Sequence, residues 1–320
     1  ESTANKIKLL QEVNRRHVRI KKNDRHKNNS ILNSVLDELL GIMRNVSALF
    51  KSMKPKLEYL GSYFDGLRVG EPTEYDINHG VVDAALNTLP RTEDRKRMLR
   101  VKDRHYKIDF KTSGPANTIT IYLDNDNVID VDLVPTLFFK LPKMPIQSNI
   151  DFTKVQKTKL TSYFAVPKPS DNEYSWRLAF PYQERYYMKN KDNLKSTLKL
   201  LKLLRDTQGF HKLASYFIKS LFLWQVQEET SDFWKKNSLS YLVLYMLKNL
   251  KKCLEAGVIN NFWCSDHNLL EKVKPKTCQN WGPNKVIFIF KLKPVLINLS
   301  QVCGDDLKHA FDMLFCTGMT

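Results

Sequence analysis

Two acidic residues, Glu74 and Asp76, stand one residue apart in the stretch GEPTEYDIN. In a β-strand, residues i and i+2 lie on the same face, so a strand here would direct both carboxylates into one site. A second alternating stretch, residues 127–134, carries Asp130 and Asp132 in the same arrangement. Asp132 has apolar sequence neighbours, and an uncompensated carboxylate in an apolar setting is costly. Three carboxylates from neighbouring strands are typical of a two-metal phosphoryl-transfer site.

Such a site would hold two Mg²⁺ or Mn²⁺ ions about 3.5–4 Å apart. Hard cations take oxygen ligands and keep open positions for triphosphate oxygens. An acidic pair of this spacing is, taken alone, usually an exposed strand or turn. The pair Gly61-Ser62 stands twelve residues ahead of Glu74, and small residues let backbone N–H groups and a hydroxyl approach phosphates. Together with Asp132, these residues predict a nucleotidyltransferase.

The charge of the chain favours a polyanionic partner. It contains 51 Lys and Arg against 34 Asp and Glu, a formal net charge of +17. Nucleic acid is favoured over a membrane because the cations are spread along the chain. The basic run within residues 1–30 is either a solvated helix face or a phosphate-tracking surface, and the sequence leaves both open. A second dense basic segment, residues 91–107, is expected to be a loop or the edge of a strand.

Hydrophobic periodicity predicts a long helix, then strands, then helices. Apolar residues at helical spacing over residues 31–50 indicate one long helix or two nearly collinear ones. The Pro-bearing stretch 141–170 is expected to be connecting structure with one or two short elements. Strands are predicted at 107–111, 118–123, 127–134 and 176–180, and helices at 194–205, 211–226 and 239–256, the last ended by Gly257. Residues 285–299 are ambiguous between strand and helix.

The cysteines predict a reduced, cytoplasmic protein. There are five, an odd number, and none forms a C-x-x-C pair, which favours free thiols over a disulfide scaffold. Cys264 and His267 form a C-x-x-H pair without a second ligand pair at conventional spacing, so zinc is not expected. The first residues of the sequence include no apolar signal-peptide segment, and the sequence contains no run of about 18 apolar residues. We therefore expect no membrane partner.

Four motifs, read in chain order, resemble the cGAS and cGAS-like receptor family. They are GSYFDGLRVGEPTEYDIN, VDLVP, WRLAF and LASYFIKSLF, and the resemblance extends from about residue 30 to about residue 270. It implies an α+β, bilobed nucleotidyltransferase fold with a long N-terminal spine helix, a mixed twisted sheet and a C-terminal helical lobe. The implied domains are residues 1–190, the nucleotidyltransferase lobe with the spine helix, and residues 191–320, the helical lobe.

The resemblance also implies roles for individual residues. Asp130 has no counterpart in the family motif, and a hydrogen-bonding support role is favoured over metal ligation. No role is assigned to His79. The implied set is Gly61 and Ser62 for the nucleotide triphosphate, Glu74, Asp76 and Asp132 as catalytic metal-binding acids, Arg177 for a base, Lys202 and Ser215 for phosphates, and Tyr216 for stacking on a base.

Two of these roles have structural alternatives. Lys195, Lys199 and Lys202 are spaced i, i+4 and i+7, which forms one basic stripe on a Leu-rich helix. Lys202 is then either a phosphate ligand or a solvated helix charge. Tyr216 is either a base-stacking residue or a core aromatic.

One departure from the family concerns the activator. DNA-sensing members insert a His/Cys-rich zinc segment after the Trp-Arg strand, whereas residues 181–198 contain neither His nor Cys. The chain therefore resembles the invertebrate cGAS-like receptors, which implies double-stranded RNA in preference to DNA as the activator. Double-stranded RNA is read through phosphates and 2′-hydroxyls. The expected contact residues are Arg15, Arg16, Arg19, Lys21, Lys22 and Lys199.

The implied activity is synthesis of a cyclic dinucleotide from ATP and GTP in an innate immune sensor. The resemblance leaves room for oligomerisation on the nucleic acid. Two alternatives remain open: a catalytically silent nucleic-acid-binding member of the family, and a template-free RNA nucleotidyltransferase that shares the metal-binding acids.

Overall fold

The computed structural model of the chain describes residues 22–281, except for 54–55, 60–73, 78–81, 114–115, 124–126, 135, 146–147, 168–175 and 231. The described residues form two compact units, one from 22–144 with 161–182 and the other from 145–160 with 183–281. Each unit is therefore built from two separate stretches of the chain. The domain boundary expected at residue 190 stays a prediction.

The first unit combines helices with a mixed five-stranded sheet. Its sheet has the strand order β1-β5-β4-β3-β2, in which β1 runs parallel to β5 and the other pairs are antiparallel. The elements are α1 (Lys22–Val46), α2 (Ala48–Ser52), β1 (Glu74–Ile77), α3 (Val82–Asn87), β2 (Arg97–Val101), β3 (Arg104–Ser113), β4 (Ala116–Tyr122) and β5 (Val128–Leu133).

One face of this sheet forms a hydrophobic core with the long helix. Alternation along β5 buries Ile129, Val131 and Leu133 while the residues between them are half-exposed. These side chains share one core cluster with Leu32, Val35, Leu36, Leu39 and Met43 of α1 and with Ala85 and Leu86 of α3. The opposite face of the sheet is thereby left for polar residues, because strand side chains alternate between faces.

The long helix predicted from apolar spacing is confirmed, and it is interrupted once. Ser47 is extended and its hydroxyl accepts a hydrogen bond from the Phe50 N–H at 3.2 Å. This is an N-cap, which satisfies one of the unpaired N–H groups at a helix start. The cap begins α2 one residue after α1 ends, so residues 31–50 belong to two consecutive helices.

A second, three-stranded sheet belongs to the same unit. It has the order β6-β7-β8, all antiparallel, with β6 (Leu137–Lys140), β7 (Ser162–Pro167) and β8 (Trp176–Ala179). Sequence analysis predicted β8 but assigned no strand at 162–167. Tyr163 and Phe164 of β7 are buried, so tertiary packing makes a strand of a stretch whose flanking prolines indicated a connection.

The second unit is helical among its described residues. Its elements are α4 (Phe152–Lys157), α5 (Pro181–Met188), α6 (Leu194–Thr207), α7 (Ser215–Glu228), α8 (Phe233–Lys236), α9 (Leu239–Ala256) and α10 (Pro275–Gln279). The first two residues of α5 belong to the first unit. The three predicted helices are confirmed, although α7 begins at Ser215 and not at 211. Gly257 ends α9 with φ 67°, a left-handed conformation that glycine adopts without steric cost.

Tyr245 of α9 gives this unit an alkaline pH dependence. Burial and the hydrogen bond to Glu229, 2.6 Å away, raise the Tyr245 pKa to about 12. In the unfolded chain a tyrosine ionises near 10, so between about pH 10 and 12 ionisation favours the unfolded state and stability falls as pH rises. Tyr245→Phe is expected to reduce this alkaline loss in the free energy of unfolding by up to about 3 kcal/mol.

Urea unfolding at several pH values between 8 and 12 measures this effect. Tyr241→Phe is the matched control, because Tyr241 is on the same helix and exposed. An identical loss of stability above pH 10 in the parent and in Tyr245→Phe would contradict the assignment.

Candidate active site

The register of β1 and β5 brings acidic positions together. In this parallel pair Glu74 is the partner of Asp130, and Asp76 is the partner of Asp132. Register partners in a sheet lie on the same face, and so do residues i and i+2 of one strand. These positions therefore form one patch on the face of the sheet opposite the α1 core.

Asp132 is oriented by a threonine of the adjacent strand. Thr118 Oγ1 donates a hydrogen bond of 2.6 Å to Asp132 Oδ1, and these residues are register partners on β4 and β5. Val131 and Leu133, its apolar sequence neighbours, are buried on the opposite face. The apolar setting expected for Asp132 is therefore wrong, because strand alternation separates the carboxylate from those neighbours. Among the described residues, Thr118 is the hydrogen-bond partner of this carboxylate.

Asp130 has the same kind of support. Thr120 Oγ1 donates to Asp130 Oδ1 at 2.7 Å, one step along the same pair of strands. Two Thr–Asp pairs thus lie next to each other on β4 and β5. They differ in the register partner on β1, which is Glu74 for Asp130 and Asp76 for Asp132.

The donor set suits a hard divalent cation. Carboxylate oxygens are the ligands that Mg²⁺ and Mn²⁺ prefer, and Asp132 is held by Thr118 in a fixed orientation. Side chains of the described residues contain no group of three metal-ligating residues in one place, but the side chains of Glu74 and Asp76 are outside that description. Gly61, Ser62 and His79 are outside the described residues, as are Arg15, Arg16, Arg19 and Lys21. Their roles stay predictions.

Arg177, expected to contact a base, lies on β8. It is exposed and is the register partner of Val166 on β7. The adjacent Trp176 is 46% exposed. Both side chains are thus available to a ligand on the surface of the three-stranded sheet.

Lys202 and Lys199 lie on α6, as predicted. Lys202 is only 7% exposed, so the alternative that it is a solvated helix charge is wrong. Lys199 is half-buried. The basic stripe predicted on this helix therefore runs from a half-buried position into a buried one.

Ser215 and Tyr216 open α7. Arg205 Nη1 donates a hydrogen bond of 2.6 Å to Ser215 Oγ. The Tyr216 hydroxyl lies 3.4 Å from Glu184 Oε1, and the ring is half-buried. Tyr216 is therefore not a fully buried core aromatic, and its hydroxyl has a defined polar partner.

Glu184 is a polar residue of this region that the sequence pattern did not indicate. This carboxylate of α5 is buried, forms an ion pair of 2.6 Å with Lys219 and accepts a hydrogen bond of 3.0 Å from Trp263 Nε1. With Tyr216 it makes a four-residue polar cluster. The helix α5 was not predicted, although Pro181 at its first position is a recognised start signal.

The C-x-x-H pair closes a turn. The His267 N–H donates to the Cys264 carbonyl at 3.0 Å. The buried Lys154 contacts the same loop, because its ammonium group donates to the Phe262 carbonyl at 2.8 Å and lies over the Trp224 ring.

Comparison with known proteins matches this sequence to two domain models of one family. The sequence model of the Mab-21 protein nucleotidyltransferase domain matches residues 78–190, and that of the Mab-21 protein HhH/H2TH-like domain matches residues 193–283. The chain is 29% identical to the cyclic GMP-AMP synthase-like receptor of Aethina tumida, over 85% of this chain and 84% of that protein. This protein belongs to the cGAS-like receptors of the Mab-21 family.

Two further cGAS-like receptors cover a similar extent. That of Trichogramma pretiosum is 26% identical over 92% of this chain and 73% of its own length. That of Tribolium castaneum is 26% identical over 88% of this chain and 87% of its own length. The α+β nucleotidyltransferase fold with a helical C-terminal region is thereby established, and the chain is a nucleotidyltransferase.

The matched domains include part of the candidate site. Asp132 and Arg177 fall in the nucleotidyltransferase match, and Lys202 and Tyr216 fall in the HhH/H2TH-like match. The nucleotidyltransferase match begins at residue 78, directly after β1. None of the described helices is long and apolar enough to cross a membrane.

Proposed function

We propose that this protein is a cytoplasmic innate immune sensor with antiviral function, which synthesises a cyclic GMP-AMP dinucleotide from ATP and GTP when double-stranded RNA activates it. The observation that carries the catalytic part is the parallel register of β1 and β5, in which Glu74 is the partner of Asp130 and Asp76 is the partner of Asp132. A patch of acidic positions on a sheet is the arrangement that two-metal phosphoryl transfer requires.

The acids Glu74, Asp76 and Asp132 would hold two Mg²⁺ or Mn²⁺ ions. When bound, such ions lower the pKa of an attacking ribose hydroxyl and stabilise a leaving pyrophosphate. Thr118 fixes the Asp132 carboxylate through its 2.6 Å hydrogen bond, so that orienting this ligand costs little when the nucleotide arrives. Gly61 and Ser62 would contact the triphosphate with backbone N–H groups and a hydroxyl.

Residues of the helical unit would bind and orient the nucleotide. Lys202 and Ser215 would bind phosphates, and Tyr216 would stack on a base. Arg177, on the three-stranded sheet, would contact a base. The Arg205 hydrogen bond to Ser215 and the contact of the Tyr216 hydroxyl with Glu184 restrict the side chains of both residues. Restricted side chains lose less entropy when a ligand binds.

The RNA part of the proposal is supported by charge and by composition. The net charge of +17 favours a polyanion, and residues 181–198 contain no His or Cys with which to build a zinc-bound insertion. Several relatives are named cyclic GMP-AMP synthase-like receptors, which supports this product class.

The product assay tests the proposal. The protein is incubated with ATP, GTP and Mn²⁺, with and without long double-stranded RNA, and the products are resolved by chromatography and mass spectrometry. We expect a cyclic dinucleotide that increases at least about 10-fold with RNA and depends on the metal. Absence of RNA stimulation would contradict the sensing role, and double-stranded DNA is the control activator.

Two other outcomes identify the alternatives. Extension of a labelled RNA end in place of a small cyclic product would indicate a template-free RNA nucleotidyltransferase. Absence of any product, together with metal-independent nucleotide affinity in isothermal titration, would indicate a catalytically silent nucleic-acid-binding protein.

A further inference from the structure

The basic segment 91–107 forms the hairpin of β2 and β3, at the edge of the five-stranded sheet. Arg100, Lys102 and Arg104 surround its tip, and all three are exposed. We call these three residues the tip cations. Arg100 is the next-to-last residue of β2, Lys102 lies in the turn with φ 53°, and Arg104 begins β3.

The tip cations keep their charge unpaired among the described residues. Asp103, the acid of the turn itself, is exposed. Asp94 pairs with Lys96 at 3.4 Å and with Lys107 at 3.6 Å. Arg100 Nε donates to the Lys102 carbonyl at 3.1 Å, which holds the guanidinium at the tip without neutralising it. No described carboxylate lies within ion-pair distance of the tip cations.

The tip cations also project from more than one side of the hairpin. Val101 is paired with Arg104, and Arg100 is paired with His105, so Arg100 and Arg104 lie on opposite faces. Lys102 adds a charge at the turn between them. A charged side chain or two on an edge strand is sufficient to prevent edge-to-edge association, whereas charges on both faces and at the turn suit contact with two rows of phosphates.

Core packing and hydrogen bonds anchor strand β2 of the hairpin. Leu99 and Val101 belong to the hydrophobic core, and the Met98 N–H donates to the Pro90 carbonyl at 2.9 Å. The buried Arg97 donates through Nη2 to Asn87 Oδ1, which fastens β2 to the end of α3. A preorganised cationic surface binds with less loss of entropy than a mobile one.

We propose that the tip cations contact the phosphate backbone of double-stranded RNA. The inference rests on the proposed function, and it adds a binding surface on the sheet to the N-terminal cations that sequence analysis suggested. Each phosphate contact adds about 0.9 to the slope of log affinity against log salt concentration, so the surface has a measurable signature that does not depend on nucleotide chemistry.

The test compares two triple variants of the full chain. One is Arg100→Gln, Lys102→Asn and Arg104→Gln, in which Asn suits the left-handed turn position. The matched control is Lys235→Gln, Lys248→Gln and Lys272→Gln, which removes the same charge from exposed sites of the helical unit. Binding of fluorescent double-stranded RNA is measured by anisotropy over a range of salt concentrations, without ATP or GTP.

We expect the hairpin variant to bind at least ~10-fold more weakly at 0.1 M salt, with a salt slope reduced by about 2–3, and the control to bind within about twofold of the parent. Equal weakening of both variants, or no change in the hairpin variant, overturns the inference, as does absence of RNA binding by the parent. If the hairpin variant binds RNA more weakly and the parent makes no RNA-stimulated product, the binding surface is supported and only the proposed activation is overturned. Stronger binding of anionic lipid vesicles than of RNA through the same residues also overturns it.

Discussion

Asp132→Asn is expected to lower kcat for cyclic dinucleotide synthesis by more than about 100-fold. The change removes a negative charge from a metal ligand, whereas loss of a residue that only orients a ligand typically costs 10–100-fold. Its size and its hydrogen bond from Thr118 are preserved, so the fold is expected to remain intact. The measurement is steady-state kinetics with ATP, GTP and Mn²⁺ in the presence of RNA.

The structure supplies a matched control for this change. Asp130→Asn alters a carboxylate on the same strand that accepts a 2.7 Å bond from Thr120, as Asp132 accepts one from Thr118. Because Asp130 is expected to give support without metal ligation, we expect a smaller loss, of about 10-fold. Equal losses in the two variants, or an active Asp132→Asn protein, would contradict the metal assignment.

Loss of the β1 acids is expected to separate catalysis from RNA binding. The double change Glu74→Ala and Asp76→Ala should abolish synthesis while RNA binding remains as in the parent. Survival of synthesis would show that the parallel register of β1 and β5 does not define the catalytic centre.

Lys219→Met is expected to have the largest effect on stability, a loss of about 3–5 kcal/mol. The Lys219 side chain is 14% exposed and lies 2.6 Å from the Glu184 carboxylate, whose side chain is 8% exposed. Removing the cation leaves a buried negative charge whose remaining donors, in the part of the chain that the structure describes, are Trp263 and Tyr216. Urea unfolding followed by tryptophan fluorescence measures the loss.

A double variant separates the stability cost of the unpaired buried carboxylate from the cost of lost packing. Glu184→Gln with Lys219→Met removes both charges, so we expect it to regain at least half of the lost stability. Lys235→Met, at an exposed site, is expected to change stability by less than about 0.5 kcal/mol. If Lys219→Met lost less than about 1 kcal/mol, the cluster around Glu184 would not be a buried ion pair in solution.

Much of the local structure could be predicted because it follows from periodicity. The apolar spacing of α1 and α9 and the alternation of β5 specify their type, and Gly257 marks the end of α9. The prolines near β7 indicated connecting structure, so this strand was not predicted. Tyr163 and Phe164 of β7 are buried, so tertiary packing makes this stretch a strand. Local propensity is a weak prior wherever burial decides.

The candidate site was partly predictable for the same reason. The alternation of Glu74 with Asp76, and of Asp130 with Asp132, is a property of each strand alone. That Asp132 accepts its hydrogen bond from Thr118 depends on which strand lies beside β5. No local pattern contains that information.

The amino-acid sequence was therefore sufficient for most of the element types and for the family motifs, and it predicted the acids, because these follow from backbone geometry over a few residues and from the chemistry of side chains. The three-dimensional fold alone decided that β1 lies parallel to β5, that Lys202 is buried, and that Glu184 meets Lys219 and Trp263. Those contacts join residues far apart in the chain, and their partners are selected by the burial of a shared core and the pairing of charges within it.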